Sequence, residues 1–452
     1  MKDIKTKDPA TTDDLAARLM KSNEIIYNLT YYDERTKLPN RKNLINRYNK
    51  MINNNKETYN AIFIIDIDRF HSINKLYGRE VCNRLLEAVG QRLQKFMSVE
   101  ESVYSNGEDE FIVWDQGLPF NKAEKKGREM VDLLATPFTI DGHVIYITVS
   151  IGISHFPSTG QNIAELLNQA EIGLYKVKRN GRNNYRVFLI EDAVDIERRS
   201  RIEIDLQRAI ERKQLYLAYQ PKINLITGKL IAVEALLRWE HPELGNIPPG
   251  EFIPIAEESG IIRNIGYWVM YEAVRQAKEW QDMGYEIRTA VNVSEIQFRD
   301  RYFVKKVLEV LATLGLPARY LIVEVTESVV KNFQSAKNSI VELRNNDIRI
   351  AIDDFGTGYS SLSVLRDSQV DAVKIDKSFI DNVPSDFISS NLVNTIIQMG
   401  KNMNLDSIAE GIETKEQSEY LLKHNCLYGQ GYLFSRPVSP EEITAFIENS
   451  SK

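Results

Sequence analysis

The second half of the chain alternates short apolar runs with longer stretches of mixed character. Seven runs look like strands: VEALLR (233–238), AVNVS (290–294), IVEVTE (322–327), IAIDDFGTG (350–358), AVKID (372–376), SIAEGIE (407–413) and GQGYLFSRP (429–437). Each ends in a polar residue able to bind a metal or a phosphate. The segments between them are long enough for helices. Strand–helix alternation predicts a parallel sheet, and this many units predict a closed barrel. A barrel gathers the C-terminal ends of its strands at one face. Glu234, Asn292, Glu324, Asp353, Asp354, Lys374, Glu410 and Gln430 would converge there. Five carboxylates in one crevice repel one another unless cations sit among them. The pattern points to a metal-dependent phosphoryl-transfer site.

The first half is patterned differently. Residues 1–14 are polar and expected to fray. From 15 to 31, Leu15, Leu19, Ile25, Ile26 and Leu29 recur at helical spacing. This short amphipathic helix would either pair with a second copy of itself or pack on its own domain. Residues 61–67 read as a buried strand, 76–96 as a helix, and 103–114 as a hairpin with a polar turn. A strand over 146–153 and a helix over 163–179 follow, the helix stopped by Asn180-Gly181. Such a mixture suits an α+β palm. The expected organisation is a tail and helix (1–31), a palm (32–190), a charged connector (191–200) and a barrel (201–448).

Composition narrows the class. The chain has 452 residues, 43% hydrophobic and 27% charged, as in ordinary globular proteins of two or three domains. A net charge of −6 favours neither nucleic acid nor an anionic membrane. Cys82 and Cys426 match no metal spacing and read as small buried hydrophobes in a reducing compartment. The histidines (71, 143, 155, 241 and 424) form no ligand arrangement and read as surface or locally bonded residues. No apolar run approaches the ~18 residues of a membrane span, and the N-terminus lacks a signal-peptide core. A cytoplasmic protein is expected.

The barrel blocks carry a family resemblance. Glu234-Ala235-Leu236 with Arg238, Asn292-Val293-Ser294, Glu324-Val325-Thr326-Glu327, Asp353 to Tyr359, Lys374-Ile375-Asp376, Ala409 to Glu413 and Gln430-Gly431-Tyr432 occur in order at workable spacings. Together they resemble the EAL-type cyclic di-GMP phosphodiesterases, over roughly residues 200–447. The resemblance implies a TIM-barrel-like α/β domain with two Mg²⁺ or Mn²⁺ ions. Glu234, Asn292, Glu324 and Asp353 would hold one ion, and Asp353, Asp354 and Glu410 the other. Lys374, with Glu410 and Asp353, would serve the catalytic step. Gln220, Arg238, Asp376 and Gln430 would contact substrate or its water network, and Glu327 would order the loop 353–359. The implied reaction cuts cyclic di-GMP to linear pGpG.

The palm resembles the GGDEF family of diguanylate cyclases. The residues are Asp33 with Leu38 to Arg41, Asp66 to Phe70, Ile73-Asn74, Gly78, Gly107 to Phe111, Thr148 to Ile153, and Tyr175 with Lys178 and Gly181 to Asn183. Several positions depart from the family pattern. Glu108 stands where the second glycine belongs, and Ser105 where an arginine is usual. Lys75, Arg79, Cys82 and Asn83 differ too, and Ser98 and Glu101 replace the RxxD motif. A glutamate beside a triphosphate costs about 4 kcal/mol at ~4 Å and an effective dielectric of 20. Loss of cyclase activity is expected. Asp66, Asn74, Asp109, Lys178 and Arg182 still match metal and nucleotide positions, so GTP is a candidate ligand.

The expected function is a homodimeric cyclic di-GMP phosphodiesterase with a degenerate cyclase domain as regulator. Two alternatives stand beside it: a receptor that binds cyclic di-GMP without cutting it, and a bifunctional cyclase and phosphodiesterase. Intact metal positions argue against the first, and Glu108 and Ser105 against the second.

Overall fold

A computed structural model of the protein describes residues 12–54, 59–97, 102–331, 333–356, 365 and 368–450. Ser98, Glu101 and the Thr357-Gly358-Tyr359 part of the loop lie outside these residues. The chain forms two compact units, Met1–Arg198 and Arg199–Lys452. The division falls within the helix Ile190–Leu206.

Among its described residues the first unit holds seven strands: β1 (Asn60–Ile67), β2 (Val103–Ser105), β3 (Glu110–Gln116), β4 (Phe138–Ile140), β5 (His143–Ile145), β6 (Val149–Phe156) and β7 (Asn184–Val187). Five of them form one sheet in the order β2-β3-β1-β6-β7. Central β1 is apolar except near its ends, and every residue in it is buried. Alternate side chains serve opposite faces. Phe63, Ile65 and Ile67 pack with Leu85, Leu86, Val89 and Leu93 of the helix Arg79–Met97. Ile62 and Ile64 pack with Leu166, Leu167, Ala170 and Leu174 of the helix Ile163–Arg179. That helix has the bounds read from its pattern, and Asn180 caps its end.

Two expectations need adjusting. The helix over 76–96 is broken into Phe70–Tyr77 and Arg79–Met97. Gly78 lies between them at φ +83°, a conformation open to glycine at little cost. The strand expected from 146 begins at Val149. On the helix Thr12–Tyr31, Leu19, Ile25, Ile26 and Leu29 are exposed.

The second unit is a barrel, built from β8 (Leu215–Asn224), β9 (Leu230–His241), β11 (Arg288–Val293), β12 (Leu321–Thr326), β13 (Arg349–Phe355), β14 (Ala372–Ile375), β15 (Asp406–Ala409) and β16 (Tyr428–Gly429). A short β10 (Gly245–Ile247) pairs beside β9. Neighbours from β9 to β16 run parallel. The wholly parallel sheet is corrected at two points, the first being β10, antiparallel to β9. β8 is antiparallel to both β16 and β9, and closes the ring between them. The run 429–437 is corrected as well, because only Tyr428–Gly429 is strand and a turn follows. At Gly431 a Cβ would lie 2.1 Å from the Ile412 carbonyl oxygen, so the chain turns where no side chain fits.

Apolar outer faces of the strands, such as Val291, Val323, Ile350 and Val373, pack against surrounding helices that carry Met270, Ala273, Val307 and Ile340. Inside, Ala351, Ala372 and Ile408 fill the lower end of the ring. The polar residues begin level with them, Glu324 beside Ala351 and Lys374 beside Ile408, and continue above.

Candidate active site

Parallel register sets the height of each functional residue. Asn292 on β11 is level with Glu324 on β12, and Glu324 with Ala351 on β13. Asp353 lies one inward-facing step higher. Lys374 on β14 is level with Ile408 on β15, and Glu410 follows β15 directly. The Glu410 amide donates to the Ile375 carbonyl at 3.1 Å, and the Gln430 amide to the Ala409 carbonyl at 2.8 Å.

Successive strand residues normally point to opposite faces, so Asp353 and Asp354 should diverge. Pairing between β13 and β14 slips between Ile352 and Phe355, and Asp354 adopts φ +53°. This bulge brings both carboxylates to one place. Oxygens of Asp353, Asp354 and Glu410 lie within 4.8 Å of one another, and so do those of Glu234, Glu324 and Asp353. Asp353 belongs to both groups.

Lys374 Nζ, almost wholly buried, sits among the acids. It lies 3.2 Å from Glu234, 2.7 Å from Glu324, 2.9 Å from Asp353 and 2.7 Å from Glu410. Gln430 Nε2 donates to Glu234 at 2.8 Å and to Glu410 at 3.1 Å. Asn292 donates to the other Glu234 oxygen at 2.7 Å. Burial works against the Glu234 charge, yet Lys374, Lys222 and these amides hold its carboxyl well below the ordinary range. Burial pushes Glu324 up despite the two lysines, and pushes Glu410 up with the help of Asp353 and Glu234. Asp354 is raised by burial and by Asp353. Burial opposes the Lys374 charge, but the four acids raise its pKa well above the usual value.

Eight of the residues read from the pattern are thus at one face, and four others stand at its edge. Gln220 is level with Glu234, but its amide donates to the Ser435 carbonyl at 3.2 Å. Arg238 donates to the Leu237 carbonyl at 2.8 Å and lines a cavity of about 220 Å³ with Asn292, Ser294 and Glu324. Asp376 caps the helix Lys377–Ile380, accepting from the Ser378 amide at 3.0 Å, and its charge adds to the rise of Asp354. Glu327 is buried and accepts from the Gly356 amide at 3.3 Å.

Sequence reading missed Lys222. It lies on β8, is 1% exposed, bonds Glu324 Oε1 and stands 3.9 Å from Glu234. Its neighbours Gln220 and Pro221 disguise the strand, since proline argues against a central position. The available signal was the two-residue offset from Gln220.

In the first unit, Lys178 Nζ reaches Asp66 at 2.6 Å and Glu110 at 3.9 Å. Burial, then the Asp66 charge, pushes the Asp109 carboxyl up to about 6. Glu108 is exposed in the same turn and adds to that rise. Burial pushes the Asp66 carboxyl up against the pull of Lys178 and, more weakly, Arg182, while Asn74 sits half-buried on the helix Phe70–Tyr77. Asp68 is committed to the fold, accepting from Thr148, Ser150 and the Asn183 amide at 2.7, 2.6 and 3.0 Å. Both cysteines are free and buried, and His155 and His241 are buried with local partners.

Two family descriptions match the chain, the EAL domain over residues 203–437 and the diguanylate cyclase GGDEF domain over 30–184. The chain belongs to the EAL family, with a GGDEF domain ahead of the EAL domain. It is similar to MucR of Pseudomonas aeruginosa, a bifunctional diguanylate cyclase/cyclic di-GMP phosphodiesterase. They are 36% identical over 444 residues, which is 97% of this chain and 64% of MucR. It is also 36% identical to the signaling protein YkoW of Bacillus subtilis over 432 residues, 94% of this chain and 54% of YkoW. The chain therefore spans only about half to two-thirds of these curated relatives. Among solved structures, the PaMucR phosphodiesterase in complex with c-di-GMP shares 42% identity, with a TM-score of 0.53. The match covers 54% of this chain and 99% of that one. No helix among the described residues is long and apolar enough to cross a membrane.

Proposed function

We propose that the EAL domain hydrolyses cyclic di-GMP to linear pGpG with two Mg²⁺ or Mn²⁺ ions. The supporting observation is the pair of acidic groups that share Asp353 around one buried lysine. The donors fit hard divalent cations, because all are oxygens and the carboxylates are closely spaced. Gln430 Oε1 is buried without a partner among the described residues, an acceptor suited to a water or substrate hydroxyl. Glu234, Asn292, Glu324 and Asp353 would hold one cation, and Asp353, Asp354 and Glu410 the other. When bound, the cations would neutralise phosphate charge and make an attacking water more acidic.

Water oxygen would bond to phosphorus in line with the departing 3′ oxygen, which would leave as the hydroxyl of pGpG. Lys374 would orient that water. Its Nζ lies within hydrogen-bond reach of acids from both cation groups, which suits that role. Arg238 would meet the substrate phosphate, Gln220, Asp376 and Gln430 would help place the nucleotide, and Glu327 would steady the loop that begins at Gly356.

The GGDEF domain is read as degenerate, because Glu108 stands in the signature turn where a glycine belongs and Ser105, buried at the end of β2, where an arginine is usual. Asp66, Asn74, Asp109, Lys178 and Arg182 would still bind GTP without cyclising it. The exposed apolar stripe of the helix Thr12–Tyr31 suits a homodimer. Two paired cation groups have no use in a simple receptor, which favours catalysis. The test is incubation of the purified chain with cyclic di-GMP and Mg²⁺, then with GTP, with products resolved by chromatography. Formation of pGpG from the first and no cyclic di-GMP from the second are expected. Absence of pGpG would overturn the hydrolase reading, and cyclic di-GMP made from GTP would overturn the degenerate one.

A further inference from the structure

Lys222 comes from β8, which runs against both of its neighbours in the ring. On β8, Gln220 is level with Glu234 and Lys222 with Ala232, so the lysine reaches the acids from beneath. Its Nζ bonds Glu324 Oε1, while the other oxygen of Glu324 accepts from Lys374 at 2.7 Å. Lys374 touches both acidic groups, whereas among the described residues Lys222 pairs with acids on the Glu234/Glu324 side. Two ammonium groups, each 1% exposed, therefore divide one buried carboxylate between them.

The charge balance gives this arrangement a purpose. Glu234, Glu324, Asp353, Asp354 and Glu410 carry five negative charges when ionised. The two lysines reduce that excess to three. Two divalent cations would then leave the loaded site with one positive charge, the complement of a single phosphodiester. Without Lys222 the loaded site would be neutral. A buried charge is felt strongly because little water screens it.

We infer that Lys222 is a specificity-determining positioning residue, which anchors Glu324 from below and keeps the cation-loaded site positive toward a singly charged phosphodiester. The inference rests on the two-cation reading above. It predicts opposite signs for two affinities. Removing the lysine charge removes repulsion toward cations and attraction toward the substrate anion. A side chain that merely fills space would weaken both when replaced.

The experiment uses the full chain, freed of metal, as wild type and as Lys222→Met. Calorimetry with Mn²⁺ alone reads the first affinity. A slowly cleaved phosphorothioate analogue of cyclic di-GMP, at saturating Mg²⁺, reads the second. Mn²⁺ should bind Lys222→Met about 5-fold or more tightly than wild type, and the analogue about 5-fold or more weakly. Lys222→Arg should stay closer to wild type in both. If Lys222→Met does not fold, Lys222→Gln, neutral but able to donate to Glu324, makes the same comparison. Two affinities that move together, or that do not move, overturn the role given to Lys222. A wild-type chain that binds neither Mn²⁺ nor the analogue overturns the two-cation reading itself.

Discussion

Lys374 satisfies four acids at once, which makes it both a structural counter-charge and a group at the reacting centre. The cradle predicts how single changes divide. Glu234→Ala or Asp353→Ala should lower the rate of cyclic di-GMP hydrolysis by ~10²-fold or more at saturating Mg²⁺, since cations contribute several kcal/mol to such transition states. Near-normal rates in either variant would dismiss the assigned ligands. Lys374→Ala should lower kcat far more than it weakens cyclic di-GMP binding, because the ammonium acts on the water and not on the nucleotide. Equal losses in turnover and in affinity would make Lys374 a substrate clamp instead. Most of this layer was legible in the sequence, because each residue closes an apolar run. Lys222 was not, because a lysine two places after a glutamine and next to a proline looks like solvated loop.

At the scale of elements, the bulge in β13 does what an ordinary strand cannot, turning two consecutive aspartates to one face. It depends on Asp354 tolerating a left-handed backbone. Asn visits that region readily and β-branched residues do not. Asp354→Asn should therefore melt close to wild type, while Asp354→Val should lose about 1–3 kcal/mol in thermal or denaturant unfolding. Equal stability of the two variants would remove the strain argument. A second element is fastened by charge. At the start of the helix Ile190–Leu206, Asp192 accepts from Arg186 at 2.9 and 2.7 Å and from the Leu189 amide at 3.1 Å. Burial opposes the Asp192 charge, but Arg186 and that amide keep its carboxyl below the ordinary range. A depressed carboxyl stabilises the fold above its unfolded pKa of about 3.9, and the effect fades as pH falls through the folded value. Asp192→Asn should thus be less stable than wild type at pH 5–8, with the gap closing below about pH 4 in denaturant titrations. A gap that stays constant down to pH 2 would show that charge is not its source. Element types were mostly readable, since buried strands and amphipathic helices leave different periods. The misreadings share a cause. Gly78, Gly431 and β8 are places where backbone geometry or an inward polar side chain overrides the hydrophobic pattern.

For the whole molecule, the open question is whether the first domain governs the second. The first domain keeps Asp109 and the Lys178–Asp66 pair but carries an exposed Glu108 in the turn between β2 and β3. The hypothesis is that GTP binds there uncyclised and raises the phosphodiesterase rate. Such coupling requires GTP to favour one state of the protein over another. The rate of cyclic di-GMP hydrolysis should rise with GTP in the intact chain and stay flat in Asp109→Ala. A flat response in the intact chain, with no heat of GTP binding, would leave the first domain a scaffold. The reversed β8 bears on any such control. Because it runs against its neighbours, Leu215 at its start is level with Trp239, near the end of β9. The polypeptide therefore crosses the threshold of the barrel at the rim where the acids emerge, and then descends to Lys222. In a barrel whose first strand ran with the rest, the thread would come in at the floor, remote from the chemistry. Here the chain just upstream of Leu215 lies at the doorway itself.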